Sequence, residues 1–499
     1  MQYKTVFRMT SFGIHIGNTS CCLAVAKDGK TDVVASPTGD RTTPAVVAFQ
    51  DTEIVVGLAA KQARIRNLNN TIVNNKNLVA GILSDDWKKS SPVTIIEKDG
   101  KFYYKVEFKE KDYVTSASDI LVNIYKYIFN IADSHSSDVS QCSTVLTVPL
   151  HYTKDQRDVI KSCATQAGFK VSQVISEPGA ACLAYGLGQD GEEERYRCLV
   201  FRSGGLSTSV SVVLVAGGIY SVLASTDLRM GGDEVTNALV QYLGAEFKQK
   251  YKEDILQNKR GKVKISRGAE TVKHVLSTLD TAHCYVESLF DGMDFSSNVT
   301  RARFDNQVGK VLTDILAPVS SLLSSVGLTT TDISKVVMAG GTSKVVKLQS
   351  ALSSMFPGAE ILSSFSPDEV IAMGAAVQAS YISKDPTENP TEKLLAVSED
   401  IIAVVEGGEE VTLIVEDTTL PCKKSSKLNL PGTEADSVSV TLFWGREKAD
   451  ILTKLSLSSI TTSSKLVLSV HVHRDSLTHI TLVDKTSGDT VDTMLRMGS

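Results

Sequence analysis

Two glycine-rich turns carry residue types able to hold a phosphate. The first is Gly13-Ile14-His15-Ile16-Gly17-Asn18-Thr19-Ser20, running into Cys22-Leu23-Ala24-Val25-Ala26. The second is Leu199-Val200-Phe201-Arg202-Ser203-Gly204-Gly205-Leu206-Ser207, running into Val210 to Val215. Glycine lets backbone N–H groups approach a ligand closely and hydroxyls add donors, so such turns can cradle an anion. Phosphoryl transfer also needs carboxylates to hold Mg²⁺ and to orient the attacking water. The residues that enter these two turns are instead His15 and Arg202. The pattern predicts a nucleotide holder that cleaves its ligand poorly or not at all.

Each turn reads strand, turn, strand, and the second recurs about 190 residues after the first. That period is too long for a solenoid and implies two related lobes facing across a cleft. Through residue 383 apolar strand-like runs alternate with helical patterns, an α/β signature. Predicted strands include Ile14 to Ala26, Ser143 to Val148, Leu199 to Phe201, Val210 to Val215 and Val336 to Ala339. Predicted helices include Ser118 to Ala132, Lys154 to Gln166, Val235 to Tyr251 and Lys347 to Met355. The pattern breaks at Ser383-Lys384-Asp385-Pro386, and Ser/Thr-rich period-two alternation follows, as in Ser437 to Leu442 and Lys465 to Val472. We therefore expect a nucleotide-binding domain over 1–383, a linker over 384–398 and a small antiparallel β domain over 399–499.

The 499 residues carry 52 Lys+Arg against 57 Asp+Glu, a net charge of −5, so no strong global field favours DNA or a membrane surface. No run reaches the ~20 apolar residues of a membrane span, and Met1 to Phe12 lacks the apolar core of a signal peptide. Eight cysteines without a C-x-x-C pair fit reduced thiols in the cytosol. His471 and His473 share a strand face but lack a third ligand, so paired surface histidines are the simpler reading and no metal site is expected.

Further motifs fall in a fixed order: Asn70-Thr71 with Lys76, Ser176-Glu177-Pro178-Gly179-Ala180-Ala181, Met230-Gly231-Gly232, Ala339-Gly340-Gly341-Thr342-Ser343, and Pro367-Asp368-Glu369 with Gly374-Ala375-Ala376. With the two turns, this set resembles the heat-shock-seventy (DnaK-like) chaperones. Their fold is a two-lobed, actin-like ATPase domain followed by a β-sandwich. The resemblance implies ATP as the ligand, contacted by Gly17, Asn18, Thr19, Gly204, Gly205, Ser207, Gly231 and Gly232. Glu270, Lys273 and Ser277 match the adenosine-binding helix. Gly340, Gly341, Lys344 and Asp368 match the opposite wall. Lys76 matches a lysine beside the γ-phosphate, and Glu177 a glutamate that reaches the metal–water shell. Taken alone, Lys76 could instead be a solvated helix lysine and Glu177 part of a plain turn.

The departures bear on mechanism. The family places acids where His15, Arg202 and Ser209 stand, and a hydroxyl residue where Asn18 stands. Losing one positioned acid or base costs ~10²–10⁴ in rate, so little hydrolysis is expected and Mg²⁺ would be weakly held. Arg202 and His15 could neutralise phosphate charge themselves, or could point to solvent or pair with acids. His274 and Lys344 replace two arginines that clamp the base. No counterpart of the family's apolar linker is evident near Glu392 to Ser398, and neither a helical lid nor an acidic tail follows the β-rich part.

These features resemble the atypical, lidless, ribosome-associated branch. The resemblance implies a cytosolic chaperone or cochaperone of nascent polypeptides, paired with a zuotin-like J-domain protein. Two other readings stay open: a working ATP-driven chaperone retaining Lys76, Glu177 and Thr19, and a sugar-kinase-like enzyme on the same fold.

Overall fold

The computed structural model describes residues 10–496 except 84–86, 89–90, 137, 189–194, 217–218, 384–398, 407, 409, 416–417, 419–421, 430–436, 446–447, 449, 459, 462–463 and 473–476. The expected linker and His473 lie outside the described residues.

Two five-strand paths share one winding. The first contains β1 (Ser11–Ile16), β2 (Ser20–Lys27), β3 (Lys30–Val33), β4 (Ser143–Val148) and β5 (Lys170–Ser176), in the order β5-β4-β1-β2-β3. The second contains β6 (Arg195–Ser203), β7 (Thr208–Ala216), β8 (Ile219–Leu228), β9 (Lys335–Ala339) and β10 (Glu360–Leu362), in the order β8-β7-β6-β9-β10. In each, the leading hairpin is antiparallel and the next two strands pair in parallel. The turns at 17–19 and 204–207 are the matching hairpin tips, so the stretch read as Ile14 to Ala26 is two strands. From Cys198 to Ser203, β6 is buried at every position, which is why its sequence runs apolar without alternation.

Four helices position the cleft: α1 (Glu177–Ala184), α2 (Gly232–Tyr251), α3 (Lys259–Val275) and α4 (Val370–Ser383). Ser176 caps α1 by accepting from the Gly179 N–H at 3.4 Å, and Pro178 sits in its first turn, where a missing N–H costs nothing. α4 is buried from Val370 to Ala376 because it follows the second sheet yet lies across β1, β2 and β4 of the first and crosses α1. At that crossing a Cβ on Gly374 would stand 1.7 Å from the Ala180 carbonyl oxygen. Only glycine permits so close an approach.

The predicted helices form at Ala117–Asp133, Lys154–Gln166, Gly232–Tyr251 and Val346–Met355, the first two with capping boxes. The longest helix, Arg301–Ser325, was not anticipated. Its Pro318 masks an apolar stripe of Phe304, Val308, Leu312, Ile315 and Val319 that is buried at helical spacing. After α4, the next described strand starts at Ile401. Strands from there to Arg496 form two four-stranded antiparallel sheets around a separate core that includes Val440, Leu442, Leu468, Val470 and Ile480. Alternation over 437–444 and 466–472 puts the apolar residues on that core, as the period-two pattern predicts.

Gly374→Ala should lower stability by about 3 kcal/mol, the upper end for overpacking, because backbone rather than a flexible side chain opposes the new methyl. Urea unfolding measures it, and an unchanged midpoint would show that the α1–α4 crossing yields.

Candidate nucleotide cleft

The two hairpin tips meet. A Cβ on Gly205 of the second lobe would lie 2.3 Å from Thr19 Cγ2 of the first. Around this contact opens a cleft of about 690 Å³. His15, Gly17, Asn18 and Thr19 line one side, and Arg202, Gly204, Gly205, Ser207 and Gly232 the other. Each turn is closed by its own backbone: Gly17 N–H donates to the Ser20 carbonyl at 2.8 Å and Gly204 N–H to that of Ser207 at 2.9 Å. Asn18 Oδ1 accepts from the Asn77 N–H at 3.0 Å, fixing the first tip to the short helix that carries Lys76.

The floor is a buried charge cluster. Lys76 Nζ donates to Glu177 Oε1 at 3.0 Å, and Arg202 Nε contacts Glu177 Oε2 at 3.1 Å. Arg202 Nη1 also donates to Ser207 Oγ at 3.0 Å. His15 Nδ1 stands 2.9 Å from Thr147 Oγ1 and 3.9 Å from Glu177 Oε1. Lys76 is 4% exposed, Glu177 3% and Arg202 8%, so neither the solvated lysine nor the plain-turn glutamate describes this chain. His15 and Arg202 line the cleft directly, while Lys76 and Glu177 lie one layer beneath it. Burial pushes the Glu177 carboxyl up, but Arg202 and Lys76 hold it well below the usual carboxylate range. Burial lowers the Lys76 ammonium, with Glu177 opposing, and lowers His15 to about 3. Counted at neutral pH, two cations share one carboxylate beside a neutral imidazole.

The residues that match the adenosine-binding helix and the opposite wall come together as well. Glu270, Lys273, His274 and Ser277 line the cleft from α3 and the turn after it, facing Gly340, Gly341, Lys344 and Asp368. Lys273 Nζ donates to the Gly232 carbonyl at 3.0 Å and to Thr236 Oγ1 at 2.8 Å. Lys344 pairs with Asp368 at 2.7 Å, and Ser366 donates to the same carboxylate. Gly231 is outside the lining, its N–H held by Glu234 Oε2 at 2.7 Å. Ser209 is also outside it, on β7 opposite Arg202. Arg267, Thr271, Lys61 and Asp233 line the cleft without having been anticipated. The polar spacing 267, 270, 271, 274 on α3 was the available signal. Lys61 meets Glu270 across the cleft mouth at 3.0 Å, a pairing no sequence spacing could suggest. Burial raises Asp233 to about 6, with Lys273 pulling the other way.

Chemically, this floor suits an anion. Arg202 keeps its fixed charge at the wall, and its five donors are only partly used by Glu177 and Ser207. It does not suit a divalent cation. Glu177, the floor's single carboxylate, is already held by two cations, and among the described residues no cluster of three His, Cys, Asp or Glu side chains could hold a metal ion. Glu177 is also a poor base because its carboxylate is so strongly stabilised, and His15 is a weak one for the opposite reason.

Paired hairpin lobes, a helix crossing at their base and a cleft between them define a two-lobed, actin-like domain followed by a β-sandwich. The family described as Hsp70 protein matches residues 11–496. The chain is 38% identical over 499 residues to heat shock 70 kDa protein 14-B of Xenopus laevis, an alignment that covers 96% of this chain and 98% of that one. It is 38% identical to heat shock 70 kDa protein 14 of Danio rerio, covering 96% and 97%, and 36% identical to that of Homo sapiens, covering 96% and 98%. The chain belongs to the Hsp70 chaperone family. No helix among its described residues is long and apolar enough to cross a membrane.

His15 has a consequence for pH. In the unfolded chain imidazole takes a proton near 6.5, whereas the folded protein refuses it down to about 3. Its folded pKa is depressed, so its contribution is complete above 6.5 and is lost progressively as pH falls from there toward 3. Lowering pH from 7 to 5 should cost about 2 kcal/mol through this group. Asp233 works in the opposite sense, so the measurement is the difference between wild type and His15→Gln in urea unfolding at the two pH values. Parallel losses would show that His15 is not held neutral.

Proposed function

We propose that this protein holds ATP as a structural ligand, hydrolyses it very slowly or not at all, and acts as an atypical Hsp70 chaperone or cochaperone. The observation that carries the reading is the cleft floor. Hydrolysis needs carboxylates free to order a metal and a water, and this floor offers Arg202, Lys76 and a neutral His15 around one fully engaged glutamate. A bound nucleotide can stabilise the domain by mass action without turnover.

Gly17, Thr19, Gly204, Gly205 and Ser207 would hold the phosphates, with Arg202 supplying the positive charge that a metal otherwise brings. Lys273, Glu270, Ser277, Gly340 and Lys344 would hold the nucleoside. Lys76 and Glu177 would act through Arg202 rather than by touching the ligand. Residues 1–383 would form the nucleotide-binding domain, 384–398 the linker and 399–499 a supporting β domain. The wider role rests on the family and on the altered site: assistance to nascent polypeptides at the cytosolic ribosome, in a pair with a zuotin-like J-domain protein.

Calorimetry and single-turnover assays test the nucleotide half, with binding and no appreciable cleavage expected. Cleavage at the rate of ordinary ATP-driven chaperones would instead favour the active reading. Arg202→Asp should make ATP binding depend on Mg²⁺, because a carboxylate beside a triphosphate repels it unless a metal bridges them. Equal affinity with EDTA or Mg²⁺ would remove Arg202 from the phosphate site. Capture of the protein from cytosol, with ribosomes and J-domain proteins probed in the eluate, tests the partner half.

A further inference from the structure

The pairing of Arg202 with Glu177 joins two lobes. Glu177 opens α1 at the end of β5, in the first lobe, and Arg202 sits on β6, in the second. Both side chains are buried, and the 3.1 Å contact spans the bottom of the cleft. Two more ion pairs lie near it, of which Lys61–Glu270 joins the lobes while Glu369 leads into α4 on the first sheet. Lys61 meets Glu270 at the mouth at 3.0 Å. Arg41, in the loop beside the first hairpin, makes a two-pronged contact with Glu369 at the start of α4, at 2.8 and 2.9 Å. The Lys61–Glu270 pair is about one-third exposed on both sides, and Arg41 is also well exposed, so water screens those contacts. The floor pair has no such screening.

We infer that the Arg202–Glu177 pair is an internal tie that keeps the lobes closed whether or not the cleft is filled, so that nucleotide does not drive lobe motion. A ligand shifts a conformational equilibrium only by its differential affinity for the two states. Where binding itself supplies the charge that draws two lobes together, that difference is large. In this chain a fixed guanidinium of one lobe already meets a carboxylate of the other, and Lys76 braces that carboxylate from its own side. The hairpin tips are in contact as well, Gly205 against Thr19. Arg202 can tie and bind together: Nε and Nη1 serve Glu177 and Ser207, and Nη2 lies beside Gly204, 3.5 Å from where a Cβ on it would stand. Filling the cleft then leaves the tie in place. The inference extends the nucleotide reading above but does not need turnover or a partner.

Hydrogen–deuterium exchange of the full chain tests it, followed in peptides spanning 13–20, 172–184 and 199–209. In wild type, exchange with and without saturating ATP should agree within twofold. Calorimetry on the same sample establishes separately that ATP is bound. Glu177→Gln keeps the shape but removes the charge, and Arg202→Met keeps the bulk of the stem. In either, exchange of the free protein should rise tenfold or more, and in Glu177→Gln, which spares Arg202, ATP should restore protection. Tenfold protection of wild type by ATP would overturn the tie, as would unchanged exchange in free Glu177→Gln. If calorimetry finds no ATP binding, the nucleotide reading fails alone, and free wild type against free Glu177→Gln still decides the tie. If Glu177→Gln does not fold by circular dichroism, Arg202→Met and the wild-type comparison decide it.

Discussion

Everything in the cleft is arranged around one buried carboxylate. Glu177 accepts from Lys76 on one oxygen and meets Arg202 on the other, with His15 close behind. A buried ion pair is weak support for stability as such, since desolvation offsets most of the attraction, but removing one partner leaves a charge that nothing compensates. The three groups are therefore mutually obligatory. Burial of Lys76 is offset by its pairing with ionised Glu177, and Arg202 and Lys76 each favour the ionised carboxylate. His15 is held neutral chiefly by its burial, and a third cation there would also face Lys76 and Arg202.

That constraint also sets the chemistry. A carboxylate stabilised by two cations gives up its basicity, and a metal ion would have to displace a guanidinium and an ammonium to reach it. The same cations give the wall of the cleft the charge that a triphosphate requires. Side-chain identity at the floor supports the proposed separation of binding from cleavage. The hairpins form, the tips meet, and backbone approaches closely at Gly205 and Gly374. What departs from the acids that hydrolysis calls for is a neutral imidazole at residue 15 and a cation at residue 202.

The frame itself depends on pairing the two related sheets through α1 and α4. α4 lies on the first sheet although it follows the second, so the lobes share a packed hinge at their base. Fixing the base leaves the cleft's geometry to the contacts along its walls, and the floor pair is the most deeply buried of these. The C-terminal sandwich has a core of its own and meets the second sheet beside β8. Its contribution to the cleft is indirect.

Sequence by itself determined the two glycine-rich turns, their repetition, the change from α/β to β-rich texture, and that His15 and Arg202 rather than acids enter those turns. Those are local facts: turn chemistry, apolar period and residue type are written in neighbouring positions. The helices at 117–133 and 154–166 were legible for the same reason, because capping and amphipathic spacing act within a few residues. The helix at 301–325 was not, since Pro318 is a local breaker that tertiary packing overrides. Sequence also left open whether His15 and Arg202 face solvent, phosphate or an acid. Only the tertiary structure decided that, because Lys76, Glu177 and Arg202 are brought together by sheet winding rather than spacing. The cross-cleft pairs of Lys61 with Glu270 and Arg202 with Glu177 were invisible for that reason: each joins two lobes, and no periodicity within a segment encodes which residues of another lobe it will meet.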